Sequence, residues 1–356
     1  MASLEIGIVG LPNVGKTSVF NALTNAGAEV TAYAATQSSA NIGVAPVPDA
    51  RLDDLAEVAE SRETIYATIQ LSDVSGLVRG GAKGGSLGGE FLGHLRATDA
   101  ILHVVRTFGD ADVFHVDGRV DPVADAEAVD LELILADHAI VERRVERLAK
   151  AARTGDKVAA SEADVLGRLL AHLDGGQPAR LFPEPVPAGV DLLTVKPLVY
   201  VANTSEEGDA DAVSALRQYA GDADVVPVAA RFEADLAEME DPEERGAFLA
   251  EIGQDEAGMP RVARAAFRLL ELITFFTVGP QEARAWPLRR GSTAVEAAGK
   301  IHSDIARGFI RAEVITTADM LQTKTHAEAL KRGVMRVEGR DYVIADGDVI
   351  NVRFNV

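Results

Sequence analysis

The chain has 356 residues, no cysteine, and 35 Lys and Arg against 55 Asp and Glu, a formal charge of −20. The missing thiols exclude disulfide frameworks, thiolate zinc sites, iron–sulfur clusters and cysteine nucleophiles. The acidic balance argues against generic affinity for nucleic acid, which depends on Lys and Arg displacing counterions from phosphates, so no DNA partner is expected.

At roughly 100–200 residues per domain, the length predicts two or three domains. The start, Met1-Ala2-Ser3-Leu4-Glu5-Ile6, lacks a basic leader with an apolar stretch. No run of about 18 apolar residues occurs either, so a soluble cytoplasmic protein without membrane contact is expected.

Glu5-Ile6-Gly7-Ile8-Val9-Gly10 reads as a short apolar strand, and helical periodicity runs from Lys16 through Leu23. Between them, Gly10-Leu11-Pro12-Asn13-Val14-Gly15-Lys16-Thr17 matches G-x-x-x-x-G-K-[ST] in the strand–loop–helix setting the motif requires. A plain glycine-containing turn is the alternative, and that setting weighs against it. The glycines let backbone N–H groups and the helix N-terminus face a polyphosphate. Lys16 supplies a mobile positive charge for the β- and γ-phosphates, and the Thr17 hydroxyl is a ligand for Mg²⁺. Asn13, Val14, Gly15 and Ser18 complete the nucleotide-binding loop, Val14 and Ser18 through their amides alone.

Ala67 to Asp73 alternates like a strand and ends in Asp73-Val74-Ser75-Gly76. There an acidic residue reaches a metal through water and the Gly76 amide meets a γ-phosphate, ahead of a loop, Gly80 to Gly89, that holds six glycines. Lys16 and Gly76 are therefore catalytic candidates, and Thr17 and Asp73 metal candidates. Leu77 stands where a glutamine orients attacking water in Ras-like enzymes; leucine cannot do so, and slow intrinsic turnover is expected.

Ala100 to Val105 reads as a buried strand, and from about Ala124 to Leu173 the pattern changes to long helices with a turn at Arg153-Thr154-Gly155-Asp156. Strand signals resume at Pro197 to Asn203 and Val225 to Val228 after a Pro-rich connector, Phe182 to Pro187. A helical insertion inside an α/β domain with a largely parallel sheet accounts for this order. Asn203-Thr204-Ser205-Glu206 follows the resumed strand, where nucleotide switch proteins carry Asn-Lys-x-Asp to read guanine. With Thr204 for Lys and Glu206 for Asp the guanine reader is altered, and Asn203 offers a donor and an acceptor suited to adenine. A solvated loop carboxylate is the alternative for Glu206. From about Thr274 to Val356 short strands and helices mix, and the turn Asp346-Gly347-Asp348 leads into an alternating terminal strand, as in a small α+β domain.

In combination these motifs resemble the Obg-like ATPase family known as YchF, a class of P-loop protein related to translation factors. The resemblance spans nearly the whole chain. It also draws on Val47-Pro48-Asp49-Ala50-Arg51-Leu52, on Thr98 to Arg106, and on a last block similar to a TGS domain of β-grasp fold. It implies ATP preferred over GTP, an inserted helical coiled coil, and association with ribosomes, through the large subunit and its RNA. It implies K⁺ at Asn13 in place of an arginine finger, and a water-positioning role for His115, against which stands an exposed loop imidazole. The segment Ala32 to Asn41 departs from the family's first switch pattern, with Thr36 as candidate second Mg²⁺ ligand. The expected domains are a P-loop domain at 1–123 and 196–273, the helical insertion at 124–195 and the TGS domain at 274–356.

The leading reading is an ATP-hydrolysing switch. A GTP-preferring or dual-specificity switch, a metabolic kinase and a nucleotide-gated scaffold with incidental hydrolysis are the alternatives. Arg284, Arg289, Arg290, Lys300, Arg307 and Arg311 are candidate RNA contacts in the last block, or else solvated surface charges.

Overall fold

A computed structural model describes residues 4–25, 40–74, 89–110, 112–116, 118–239, 241–251 and 256–355. The first half follows the order β1 Glu5–Val9, α1 Lys16–Asn25, β2 Ala40–Val47, α2 Ala50–Val58, β3 Glu63–Ile65, β4 Ala67–Val74, α3 Gly89–Ala97 and β5 Ala100–Arg106. The long helices α4 Pro122–Arg153 and α5 Lys157–Asp174 come next, then β6 Leu198–Asn203, α6 Ala210–Ala220, β7 Val225–Val228, α7 Ala230–Glu238, α8 Pro242–Glu251 and α9 Gly258–Leu269. The chain closes with β8 Leu272–Val278, β9 Glu282–Arg289, α10 Ala294–Ile301, α11 Ser303–Arg307, β10 Phe309–Thr316, α12 Thr317–Thr323, α13 His326–Arg332, β11 Arg336–Glu338 and β12 Asp348–Phe354.

Contacts divide the chain into two compact units, one of residues 1–44 and 70–265, the other of 45–69 and 266–356. Residues 45–69, which the sequence reading left in the first domain, thus share a unit with the terminal block.

One sheet has the order β2-β4-β1-β5-β6-β7, with β1 parallel to β4 and β5, β5 parallel to β6, and β6 parallel to β7. Every residue of β5 and β6 is buried, as strands covered on both faces require. The register sets Ile8 beside Asp73, Val9 beside His103 and Arg106 beside Asn203. The segments following β1, β5 and β6 therefore leave the sheet at one edge, the place where open parallel sheets bind ligands.

Between β5 and β6 the chain makes the expected helical insertion. Asp121 caps α4 by accepting from the Ala124 amide at 3.1 Å, with Pro122 in the first turn, where its missing N–H costs nothing. The turn falls where the sequence places it: Asp156 caps α5 by accepting from the amides of Val158 and Ala159. The two helices close over Ile134, Val141, Leu166, Leu169 and Leu173. Fully buried Asp137 ties α4 to the returning chain by accepting from the Leu193 amide (2.8 Å), the Thr194 amide (2.7 Å) and the Thr194 hydroxyl (2.6 Å).

The second unit is α+β, as expected. Its mixed sheet runs β11-β10-β12-β8-β9-β3, with β12 parallel to β8 and most other pairs antiparallel. A capping box of Thr293 and Glu296 starts α10, whose Ala294, Ala297 and Ala298 pack on Phe275, Leu288 and Val314. The motif at Val47 to Leu52 acquires a structural reason here. Asp49 caps α2, and Arg51 bonds both Asp49 (2.6 Å) and Asp346 (2.8 Å) while lying over the Phe276 ring.

Candidate functional site

The glycine motif leaves β1 through backbone conformations that glycine tolerates and other residues resist: φ is +153° at Gly10 and +95° at Gly15, with Asn13 left-handed at +62°. A Cβ at Gly10 would fall on the Val104 carbonyl oxygen, and one at Gly15 on the Asn203 side-chain nitrogen. Turns of this kind form a nest of N–H groups for an anion. The Val19 amide donates to the Gly15 carbonyl at 2.9 Å, so the loop runs straight into α1, and no acidic residue in the first turn of α1 opposes a bound anion.

The Lys16 ammonium folds back over the loop and donates to the carbonyls of Gly10 (3.0 Å) and Leu11 (2.8 Å). Burial lowers its pKa from the ordinary lysine value, and the nearby Asp73 carboxylate partly offsets this. A partly desolvated ammonium held by carbonyls gains strongly from a multivalent anion beside it.

The β1–β4 register carries Asp73, 2% exposed, to the same place, where its Oδ2 accepts from the Thr17 hydroxyl at 3.2 Å. Its other oxygen, Oδ1, is buried with no hydrogen-bond partner. A buried carboxylate oxygen without a donor is costly, and a water on a hard divalent cation would satisfy it. Thr17 and Ser18 are exposed, and Val14 is buried.

Asn203 ends β6 at 5% exposure and joins two elements. Its Nδ2 donates to the Val14 carbonyl at 2.9 Å, and its Oδ1 accepts from the Ala230 amide, which opens α7, at 3.1 Å. One proton and one lone pair of this amide are thus committed to positioning the phosphate loop, a role the sequence reading did not assign. Thr204 is buried with its amide on the Val228 carbonyl, and Glu206 is exposed. Two residues that sequence reasoning missed shape this loop. The Thr107 hydroxyl donates to the Asn203 carbonyl (3.0 Å), and Asp209 accepts from the Ser205 amide (2.9 Å).

The loop after β5 is the third wall. Arg106, 1% exposed, has no carboxylate partner among the described residues; it donates to the carbonyls of Phe108 (3.0 Å), Val113 (3.0 Å) and Asp110 (3.1 Å) and covers the Phe108 ring. The loop so held presents the Phe114 carbonyl to the Asn13 side-chain amide at 3.2 Å. His115 is not an exposed imidazole. It is 6% exposed, with Nε2 at 2.8 Å from a carboxylate oxygen of Asp125, itself 3% exposed, in the first turn of α4. A charged residue closing an apolar strand was the only signal for Arg106, and nothing in the sequence marked Asp125. Thr36, Gly76 and Leu77 lie outside the described residues.

A glycine nest, a lysine and a threonine–aspartate pair at the edge of a parallel sheet define a P-loop nucleoside triphosphatase. A family model described as a 50S ribosome-binding GTPase matches residues 5–142, and a YchF C-terminal model, described as a protein of unknown function, matches 272–355. The chain is 44% identical to the ribosome-binding ATPase YchF of Bacillus subtilis over 99% of this chain and 100% of that one. It is 45% identical to the protein of the same name from Escherichia coli O157:H7 over 99% of both. The solved structure of the Schizosaccharomyces pombe YchF GTPase superposes with a TM-score of 0.85 at 30% identity, covering 99% of this chain and 98% of that one. The chain belongs to the YchF family.

Proposed function

We propose that this protein is a ribosome-associated switch that binds and slowly hydrolyses ATP. The observation that carries the reading is the convergence of the Gly10–Gly15 nest, Lys16 and the Thr17–Asp73 pair on one edge of the sheet. The names of the bacterial relatives supply the ribosome and the choice of ATP. The large subunit and its RNA are the proposed partner, with Arg284, Arg289, Arg290, Lys300, Arg307 and Arg311 as candidate contacts. Of these, Arg284 lies over the Trp286 ring, a pairing that also suits stacking on a base, while Arg307 is paired with Asp304.

Thr17 and Asp73 would hold Mg²⁺, the Asp73 oxygen through water, and Thr36 would add a second ligand; the ion supplies charge neutralisation at the β- and γ-phosphates. Asn13 would ligate K⁺ through its side-chain oxygen. The loop amides from Asn13 to Ser18 and the Lys16 ammonium bind and orient the triphosphate, and the Gly76 amide meets its terminal phosphate. His115 positions the attacking water where Leu77 cannot. Asn203, Thr204 and Glu206 take the base, with adenine preferred to guanine because the lysine and aspartate of a guanine reader are replaced. In this reading the nucleotide domain lies within residues 1–123 and 196–273, apart from 45–69, which group with the terminal block; 124–195 form the helical arm and 274–356 a TGS domain.

Two measurements test the proposal. Competition of ATP against GTP, with Mg²⁺ and either K⁺ or Na⁺, should show ATP bound more tightly and K⁺ raising turnover; a preference for GTP would favour the other switch. Co-sedimentation with ribosomes should differ among ATP, ADP and no nucleotide, and equal binding in all three would leave a scaffold.

A further inference from the structure

The His115–Asp125 contact joins two parts of the chain that the sequence presents separately, the loop after β5 and the first turn of the helical insertion. Each partner is almost fully enclosed, at 6% and 3% exposure, and their 2.8 Å separation is that of a strong hydrogen bond. A carboxylate and an imidazole this close, both away from water, are not an incidental surface pair. An ionised aspartate is acceptor only, so a neutral imidazole facing it must carry its proton on Nε2 and its lone pair on Nδ1.

Other described residues of the loop are fixed independently. Arg106 gathers three of its carbonyls, and the residue before His115 supplies the carbonyl that holds Asn13 of the phosphate loop. Asp125 has its own support: its amide donates to the Asp121 carbonyl at 2.9 Å, so its place is set by the capped start of α4. The chain of contacts runs from the phosphate loop through Asn13, the Phe114 carbonyl and the His115 ring to a helix 32 residues long.

We infer that Asp125 is a positioning residue for nucleotide hydrolysis, holding His115 in one tautomer and orientation beside the phosphate loop from the base of the helical arm. This rests on the reading of His115 as the group that positions water. In this role Asp125 acts on the imidazole that positions the water and not on the nucleotide itself. Carboxylates in this arrangement set both the direction and the tautomer of a working imidazole, and their removal leaves the ring present but wrongly disposed.

The test is single-turnover and steady-state ATP hydrolysis by the full chain and by Asp125→Asn, Asp125→Ala, His115→Ala and His115→Ala/Asp125→Ala. Nucleotide affinity is read by fluorescent-nucleotide titration and folding by thermal melting. The expected result is a fall in kcat of about tenfold or more for both Asp125 variants, with nucleotide Kd within about twofold. Asp125→Asn keeps the shape of the side chain, which guards against a folding defect in the alanine variant. The double variant should be no slower than His115→Ala alone, because the role inferred for Asp125 runs through that ring.

A double variant slower than His115→Ala would show that Asp125 acts elsewhere and would overturn the inference. So would an Asp125→Asn rate equal to or above that of the wild type, the latter meaning that the carboxylate restrains the imidazole. If His115→Ala itself turns over ATP at the wild-type rate, the reading of His115 has failed, which is a distinct outcome from the failure of Asp125.

Discussion

The phosphate loop and the loop after β6 proposed to take the base, here the base loop, lie at the same sheet edge, yet they are built in opposite ways. The phosphate loop is eight consecutive residues whose backbone is proposed to do the binding, and its two glycines are required by conformation and by contact with Val104 and Asn203. The base loop is assembled from distant pieces: Asn203 from β6, Thr107 from the end of β5, Asp209 from the turn before α6, and the Ala230 amide of α7. A ligand group bound by main chain leaves a local signature in sequence. One bound by side chains on a tertiary scaffold leaves a few scattered letters.

That contrast can be broken first at its shared point, Gly15. Gly15→Ala places a methyl group on the Asn203 amide in a backbone conformation that alanine resists, and should cost about 3 kcal/mol or more of triphosphate binding, over 100-fold in Kd. Equilibrium titration would check it; a loss under threefold would mean that the loop is not held as described.

His103 lies beneath both loops, paired in register with Val9 of β1 and Tyr200 of β6. Burial is the main cause that lowers its pKa, to about 4, with the cations Arg180 and Lys16 adding to it and Asp130 opposing. The folded protein keeps this ring neutral while the unfolded chain protonates it near pH 6.5. Stability is therefore present above that pH and lost as pH falls from 6.5 toward 4, by up to about 3 kcal/mol. Urea unfolding at pH 7 and pH 4.5 should show this loss in the wild type and a smaller one in His103→Gln.

Asn203→Ala sharpens the comparison between the loops. If the side chain chiefly holds Val14 and the start of α7, affinity for ATP and GTP should fall together, by about 10- to 50-fold, with their ratio unchanged within about twofold. A changed ratio in competition titrations would make Asn203 a reader of the base.

The strands and the helical insertion were legible because buried parallel strands and amphipathic helices impose their periodicity on the chain. The turn at Arg153 to Asp156 falls where Asp156 caps α5. The phosphate loop, Asp73 and the strand ending in Asn203 were legible for the same local reason. What stayed hidden needed the third dimension. Among the described residues Arg106 bonds only backbone carbonyls, so no partner residue advertises it, and His115 meets an aspartate ten positions further along the chain. Residues 45–69 join the terminal block through Arg51 and Asp346, a pair 295 positions apart.

The central claim is that main-chain amides after β1 and the Lys16 ammonium together grip a triphosphate. Isothermal titration calorimetry of ATP with Mg²⁺ into the wild type and Lys16→Ala tests it most directly. The account predicts a saturable heat for the wild type and a Kd weakened about 100-fold or more in the variant, the removal of a charge-assisted bond in a partly buried site. Equal affinity in the two proteins, or no heat from any purine triphosphate with the wild type, would contradict it.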